Sequence, residues 1–262
     1  MMRSAFNVIY VIVAREFIKF VRARGRLVST LARPVLWLFL VGGGMSRLVS
    51  PNMGIPYIQF IFPGIIGMTI LFSSIFSSIS IIWDKEFGFM KEMLVAPVSR
   101  FSIVVGKALS GTMVSTIQAL IILLIFPLIG LKLGIIQIVL VLFISVLLAF
   151  CLSSLGILIA TFYESFESFS VIMNFIVMPM FFLSGAMYPV KLLPHLLGLF
   201  SRVNPLTYGI DALKYMVFND MAGTMRGSPL THDFPLGLDI SVLIVTAAVF
   251  VSIAANVFER RK

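Results

Sequence analysis

The residue types that do covalent or metal chemistry are few in this sequence, and their spacing is wrong for it. His195 and His232 stand alone, and the single cysteine, Cys151, lies in an apolar run. No Cys/His spacing suits a metal, and one thiol makes no internal disulfide. No acid lies at catalytic spacing from a histidine, so an enzyme is the least supported reading. A phosphate-binding Gly-x-x-x-x-Gly-Lys-Ser/Thr loop fails as well, because Gly106-Lys107 has Phe101 where the first glycine belongs. What remains is an island of charge. The stretch "WDKEFGFMKEMLVAPVSRFSIVVGK", residues 83–107, carries Asp84, Lys85, Glu86, Lys91, Glu92, Arg100 and Lys107 between two runs almost free of charge.

The elements that must position this island are membrane helices. The chain has 262 residues, is 60% hydrophobic and 12% charged, and has a mean hydropathy of +1.08. A soluble domain carries about 25% charged residues. Six apolar segments are expected to span as helices, at 31–49, 57–82, 102–129, 134–161, 169–187 and 237–258. Each supplies roughly the twenty residues that cross a hydrocarbon core, and lipid leaves backbone groups no partner outside a helix. The fold class is therefore all-α integral membrane. Residues 1–28 precede the first span. There Arg15, Lys19, Arg22 and Arg26 recur at helical spacing with Phe17, Ile18, Phe20 and Val21 between them, an amphipathic helix at a lipid surface.

Bases outnumber acids 20 to 11. Nucleic acid is not required to explain this, because Lys and Arg accumulate on cytoplasmic loops of membrane proteins. With the N-terminus inside, fourteen of the bases fall on inner segments and six on outer ones. Both termini are therefore expected in the cytoplasm, and residues 83–107 face it. As one helix over 84–95, that insert gathers Phe87, Met90, Met93 and Leu94 near one side. It is either an interfacial loop that snorkels its charges or a docking helix shown to a partner. Some fifty external residues separate spans five and six. "LLPHLLGLF" and "PLTYGIDALKYMVF" are apolar but too short to cross, so they are re-entrant or lie flat at the interface.

Span two offers Ser73, Ser77 and Ser80 on one face, flanked by Ser74 and Ser78, and span five offers Asn174, Phe175 and Phe181. They are candidates for a cargo path, with tight helix packing as the competing reading. The Gly42-Gly43-Gly44 run reads as close packing or a gate. No span centre carries an acid or base, so no ion site or proton relay is expected.

Two stretches resemble the permease subunits of the type-2 ABC transporter export family. The first holds Asp84-Lys85-Glu86, Gly88, Met90, Met93-Leu94, Pro97-Val98-Ser99-Arg100 and Gly106-Lys107. The second holds Ser184-Gly185, Tyr188-Pro189, Leu193-Pro194 and Asn204-Pro205-Leu206-Thr207-Tyr208. The resemblance covers nearly the whole chain and departs at Asp84, where a glutamate is commoner. It implies a half-transporter in a prokaryotic cytoplasmic membrane, pairing with a second permease copy and with separate ATPase subunits that hold the ATP and magnesium. This chain would hold no cofactor. The resemblance makes residues 86–96 a coupling helix seated in the ATPase, with Asp84, Lys85, Glu86, Phe87, Gly88, Met90, Lys91, Leu94, Pro97 and Arg100 as its contacts. It makes the N-terminal helix an interface helix that touches the same subunit. The apolar helices at 192–218 become a re-entrant pair. The cargo would be a drug, lipid or glycolipid, with a polysaccharide as the alternative. A membrane assembly or channel protein working without ATP is the reading from another class.

Overall fold

The computed structural model describes residues 2–49, 55–95, 98–218 and 233–260, and every regular element among them is helical. The order is α1 (Met2–Arg22), α2 (Arg24–Trp37), a π-helical turn (Leu38–Gly42), α3 (Gly43–Val49), α4 (Tyr57–Ser77), α5 (Ile79–Glu86) and α6 (Phe89–Val95). Then come α7 (Arg100–Leu123), a 3-10 turn (Phe126–Ile129), α8 (Ile135–Phe162), α9 (Phe166–Phe182), a 3-10 turn (Val190–Leu192), α10 (His195–Val203), α11 (Pro205–Phe218) and α12 (Leu236–Arg260).

Among the described residues, five helical stretches are long and apolar enough to cross a membrane: Val28–Ser46, Tyr57–Glu86, Arg100–Leu123, Ile135–Phe162 and Leu236–Glu259. The sixth expected span differs. α9 has 17 residues and ends at Phe182, not at 187. At 1.5 Å per residue it is about 26 Å long, short of a hydrocarbon core of about 30 Å. It stops because the Ser184 hydroxyl donates to the carbonyl of Phe181 and Gly185 turns left-handed at φ +75°.

Local chemistry sets the other ends. Ser99 and Ser165 cap α7 and α9, their hydroxyls accepting from the N–H groups of Ser102 and Ser168. Pro34 lies inside α2, where it has no N–H to give to the preceding turn. The helix carries on nonetheless through the π turn, and Ser46 donates back to the Gly42 carbonyl at 2.6 Å. The Arg33-Pro34 and Gly42–Gly44 positions therefore modulate a continuous helix and do not end it.

α4 is apolar all round and is buried along nearly its whole length, which makes it the axis of the bundle. α7, α8, α11 and α2 pack around it, α12 closes on α8 and α11, and α1 lies along α7. The outward faces of α8 and α12 are rows of exposed Ile, Val and Phe, among them Ile135, Val139, Phe143, Val245 and Val249. So much continuous apolar surface belongs against lipid. The two short helices differ from each other. α11 is buried at every residue except Tyr215 and sits in the bundle, whereas α10 exposes Leu196, Leu199 and Phe200.

Backbones approach closely at Gly64, where an added Cβ would stand 2.5 Å from the Ala186 carbonyl oxygen, whereas one at Gly43 meets nothing within 4 Å. Gly64→Ala should therefore destabilise the chain by about 1–3 kcal/mol, since backbone cannot step aside. Gly43→Ala should leave it unchanged or up to about 1 kcal/mol more stable. Thermal unfolding of both variants in detergent checks the contrast.

Candidate functional site

The charged island does not stand outside the bundle as a unit. Its first residue, Asp84, is buried at the end of α5, and its last, Lys107, is buried in the second turn of α7. The Lys107 ammonium has three protons and three partners: Asp84 Oδ2 at 2.5 Å, Glu16 Oε1 at 3.0 Å and Ser80 Oγ at 3.1 Å. Arg15 completes the cluster. Its Nη2 donates to Asp84 Oδ1 at 3.0 Å and Oδ2 at 2.8 Å and to Glu16 Oε1 at 3.0 Å. Two cations and two anions thus tie α1, α5 and α7 together where water is scarce. Such pairs are net-stabilising only when every partner is present and hydrogen-bonded. Lys19, at 3.5 Å from Glu16 and half-exposed, sits at the rim.

Lys85 points the other way. Its Nζ donates to the carbonyls of Ala160 (2.9 Å), Thr161 (3.1 Å) and Tyr163 (2.9 Å). These are groups that the C-terminal end of α8 leaves without helical partners, and a cation there also meets the negative end of the helix dipole. Asp84 and Lys85 therefore spend their charges inside this chain.

What faces outwards starts one residue later. The expected single helix over 84–95 is broken at Gly88, which takes φ +81° with open space around it. Glycine has little penalty there, and the chain turns before α6 begins. Glu86 and Phe87 are exposed, Phe87 by 70%, and Phe89, Glu92 and Val95 are exposed as well, Val95 by 87%. Met90 is buried and anchors α6. Arg100, at the start of α7, is partly buried. Pro97 and the side chains of Lys91 and Leu94 lie outside the described residues, as do Ala96, His232 and the side chain of Arg26. On α1, Arg22 is exposed, and Arg15 is bonded within the cluster.

The six residues expected along a cargo path are not brought together. Ser80 belongs to the ion cluster, and Ser77 donates to the Ser74 carbonyl at 2.7 Å. Ser73 is buried beside α2 and α7. Asn174 is exposed and bonds back to the Ser170 carbonyl at 3.0 Å, and Phe175 is exposed beside it. Phe181 is buried edge-on against Trp37, with centroids 6.3 Å apart.

The expectation concerned span centres, and buried charge lies instead towards the two ends of the bundle. Besides Asp84 and Lys107, the far end holds Asp211, Lys214 and Asp239, all buried. Asp211 accepts from the N–H groups of Asp233 (2.7 Å) and Phe234 (2.8 Å), which pins the start of the approach to α12. Lys214 donates to the Gly185 carbonyl at 2.6 Å and covers the Phe60 ring at 4.4 Å. Asn204 donates to the Met180 carbonyl and caps α11 through the Leu206 N–H. The motif around residues 204–214 is thus a set of locks between α9, α11 and α12. Glu16 and Lys107 were missed as partners. One signal was there, since Glu16 is the only acid before Asp84 in an otherwise basic segment.

Asp84→Asn strands two cations on one remaining acid and should cost about 3–5 kcal/mol of stability. Adding Lys107→Met should recover part of that loss, a coupling of roughly 1–3 kcal/mol in a double-mutant cycle read by thermal unfolding. The cluster also sets a pH dependence. Burial would raise the Glu16 carboxyl, but Lys107, Lys19 and Arg15 outweigh it and hold the group below its ordinary value of 4.5. Its contribution is complete above that value and is lost as the pH falls through the lowered one. The midpoint of unfolding should drop below about pH 4.5 in the parent chain, and Glu16→Gln should lose that part of the drop.

Comparison with known proteins agrees with this architecture. The ycf38 protein of Cyanophora paradoxa, named as a transport permease, is 32% identical over 213 residues, covering 79% of this chain and 73% of that protein. The inner membrane transport permease YadH of Escherichia coli (strain K12) is 27% identical over 252 residues, covering 94% and 93%. Nodulation protein J of Rhizobium meliloti is 25% identical over 256 residues, covering 91% and 87%. The family model for ABC-2 type transporters matches residues 7–218, which take in the ion cluster, the Gly88 turn and the 204–214 locks, and the chain belongs to that family as a membrane transport permease.

Proposed function

We propose that this chain is the membrane half of an ATP-driven exporter and that the segment from Glu86 to Val95 is where a separate ATPase subunit pushes. The observation that carries this reading is the division of labour within the charged island. Asp84 and Lys85 are consumed by α1, α7 and α8, while Glu86, Phe87, Phe89, Glu92 and Val95 are left exposed immediately beyond them. A solvated loop has no need to show two phenylalanines and a valine next to charge, and a docking surface does. Because α6 follows directly on α5, whose Asp84 is bonded to α1 and α7, a displacement of α6 would reach those helices through α5.

In this reading two copies pair in a cytoplasmic membrane, with both termini inside and α9 serving as a short sixth span. ATP and magnesium reside on the partner, and this chain does no hydrolysis. α1 lies at the inner lipid surface with Lys19 and Arg22 outward. The cargo is hydrophobic or amphipathic, since the open faces of α2 and α9 are apolar, and it leaves outwards. The membrane named for the Escherichia coli relative supports the location.

The test is ATP hydrolysis by the partner subunit, co-purified and reconstituted with this chain in liposomes. The parent permease should raise the rate, and Glu86→Arg and Phe87→Ala should each lower that stimulation at least fivefold with unchanged expression and melting temperature. Undiminished stimulation in both variants would remove this segment from the coupling path.

A further inference from the structure

A cavity of about 190 Å³ lies between α2, α4 and α7, lined by Ser29, Thr30, Arg33, Thr69, Ser73 and Gln118 and walled by Phe72 and Phe76. The Arg33 guanidinium carbon lies 4.9 Å from the centroid of the Phe72 ring. Arg33 belongs to the first candidate span, Val28–Ser46, and is exposed there, with its side chain laid over a buried phenylalanine of α4. A cation within an apolar span is costly and usually marks a working site.

The bundle balances its buried and partly buried cations. Lys107 and Arg15 have Asp84 and Glu16, and Lys214 has the Gly185 carbonyl with Asp211 nearby. Among the described residues no carboxylate lies within ion-pair distance of Arg33, and none lines the cavity. Contact with the Phe72 face engages the plane of the guanidinium and leaves its N–H edge available to a ligand. A second observation points to the same place. Ser73 is only 6% exposed, and its side-chain oxygen is buried with no hydrogen-bond partner. A buried hydroxyl left unpaired in the wall of a cavity that also holds an unpaired guanidinium calls for a ligand that satisfies both.

We propose that Arg33, Ser73 and Gln118 form a recognition site for the anionic headgroup, phosphate or carboxylate, of an amphiphilic cargo. A guanidinium fork meets either group with two parallel hydrogen bonds, and the serine hydroxyl and the Gln118 amide can each donate one more. The apolar part has a place to lie. Leu36 and Leu40 follow Arg33 at i+3 and i+7 on the same face of the first span, and both are exposed. The headgroup thus enters the cavity while the chain rests along the open face of α2. This inference rests on the reading of the chain as a cargo-carrying permease and gives that cargo a charge.

The test reads binding alone, with no ATPase or nucleotide, so that its failure leaves the coupling reading intact and the converse also holds. The chain has two tryptophans. In a Trp83→Phe background Trp37 is the only one, and it stands one helical turn from Arg33. The full-length chain in a neutral maltoside detergent is titrated with dodecyl phosphate, dodecanol and inorganic phosphate. Dodecyl phosphate should change Trp37 emission saturably, whereas dodecanol and inorganic phosphate at equal concentration should not. Arg33→Gln should weaken the dodecyl phosphate response at least tenfold. Ser73→Ala, which removes one atom and keeps the fold, should weaken it severalfold, and Arg33→Lys should fall between the two. Equal titration of Arg33→Gln and the parent, or an equal response to dodecanol, overturns the proposal. An equal response to inorganic phosphate overturns its headgroup half and makes this a free-anion site.

Discussion

The contact between Lys107 and Asp84 constrains the rest of the molecule. Neither residue can stand alone in an apolar bundle, because an isolated charge there is far more costly than a paired one. Each must therefore stay beside the other, and both must stay beside Arg15 and Glu16. α1 is an amphipathic helix that could otherwise slide over a lipid surface. The cluster fixes its rotation and height against α7, where Ile12 also packs on Gly106. The same cluster sets where α5 ends, and so where the turn at Gly88 and the exposed face of α6 begin.

The far end repeats this device with different partners. There the chain must return from α9 to α12 through short helices, and the polar groups buried on the way are aspartates, a lysine and an asparagine that bond mostly to backbone. Lipid-facing surfaces contribute little to holding helices together, since lipid is as apolar as leucine. Polar locks at the two ends, with small residues such as Gly64 between them, are what make the bundle specific. The stretch between the two ends is nearly free of charge, and Arg33, exposed on the first span over the Phe72 ring, stands out for that reason.

The all-helical membrane fold was legible because hydropathy over twenty residues is a strong signal that tertiary contacts rarely reverse. Five of the six segments coincide with helices long and apolar enough to cross. The misses are local: α7 ends at Leu123 rather than 129, before a 3-10 turn, the Ser184-Gly185 turn cut α9 short, and Pro34 was absorbed by a helix that continues through a π turn. The island at 83–107 could be found by charge alone, but its internal sorting could not. Which of Asp84, Lys85 and Glu86 turns inward depends on Arg15 and on the end of α8, about seventy residues away on either side. Helical spacing carries no information about such partners. The serine face expected on the second span shows the same limit, since Ser73, Ser77 and Ser80 share a face in the sequence but fall on two helices, α4 and α5, and meet three different neighbours.

The central claim is that the Arg15–Glu16–Asp84–Lys107 cluster is what fastens α1 and the α5–α6 corner to the bundle. Amide hydrogen exchange on the full-length chain in lipid, comparing the parent with Asp84→Asn, tests it most directly, because exchange reports opening segment by segment. The account predicts faster exchange over residues 9–19 and 79–95 together, with α11 and the middle of α4 unchanged. Unchanged protection of residues 9–19 in the variant would contradict it.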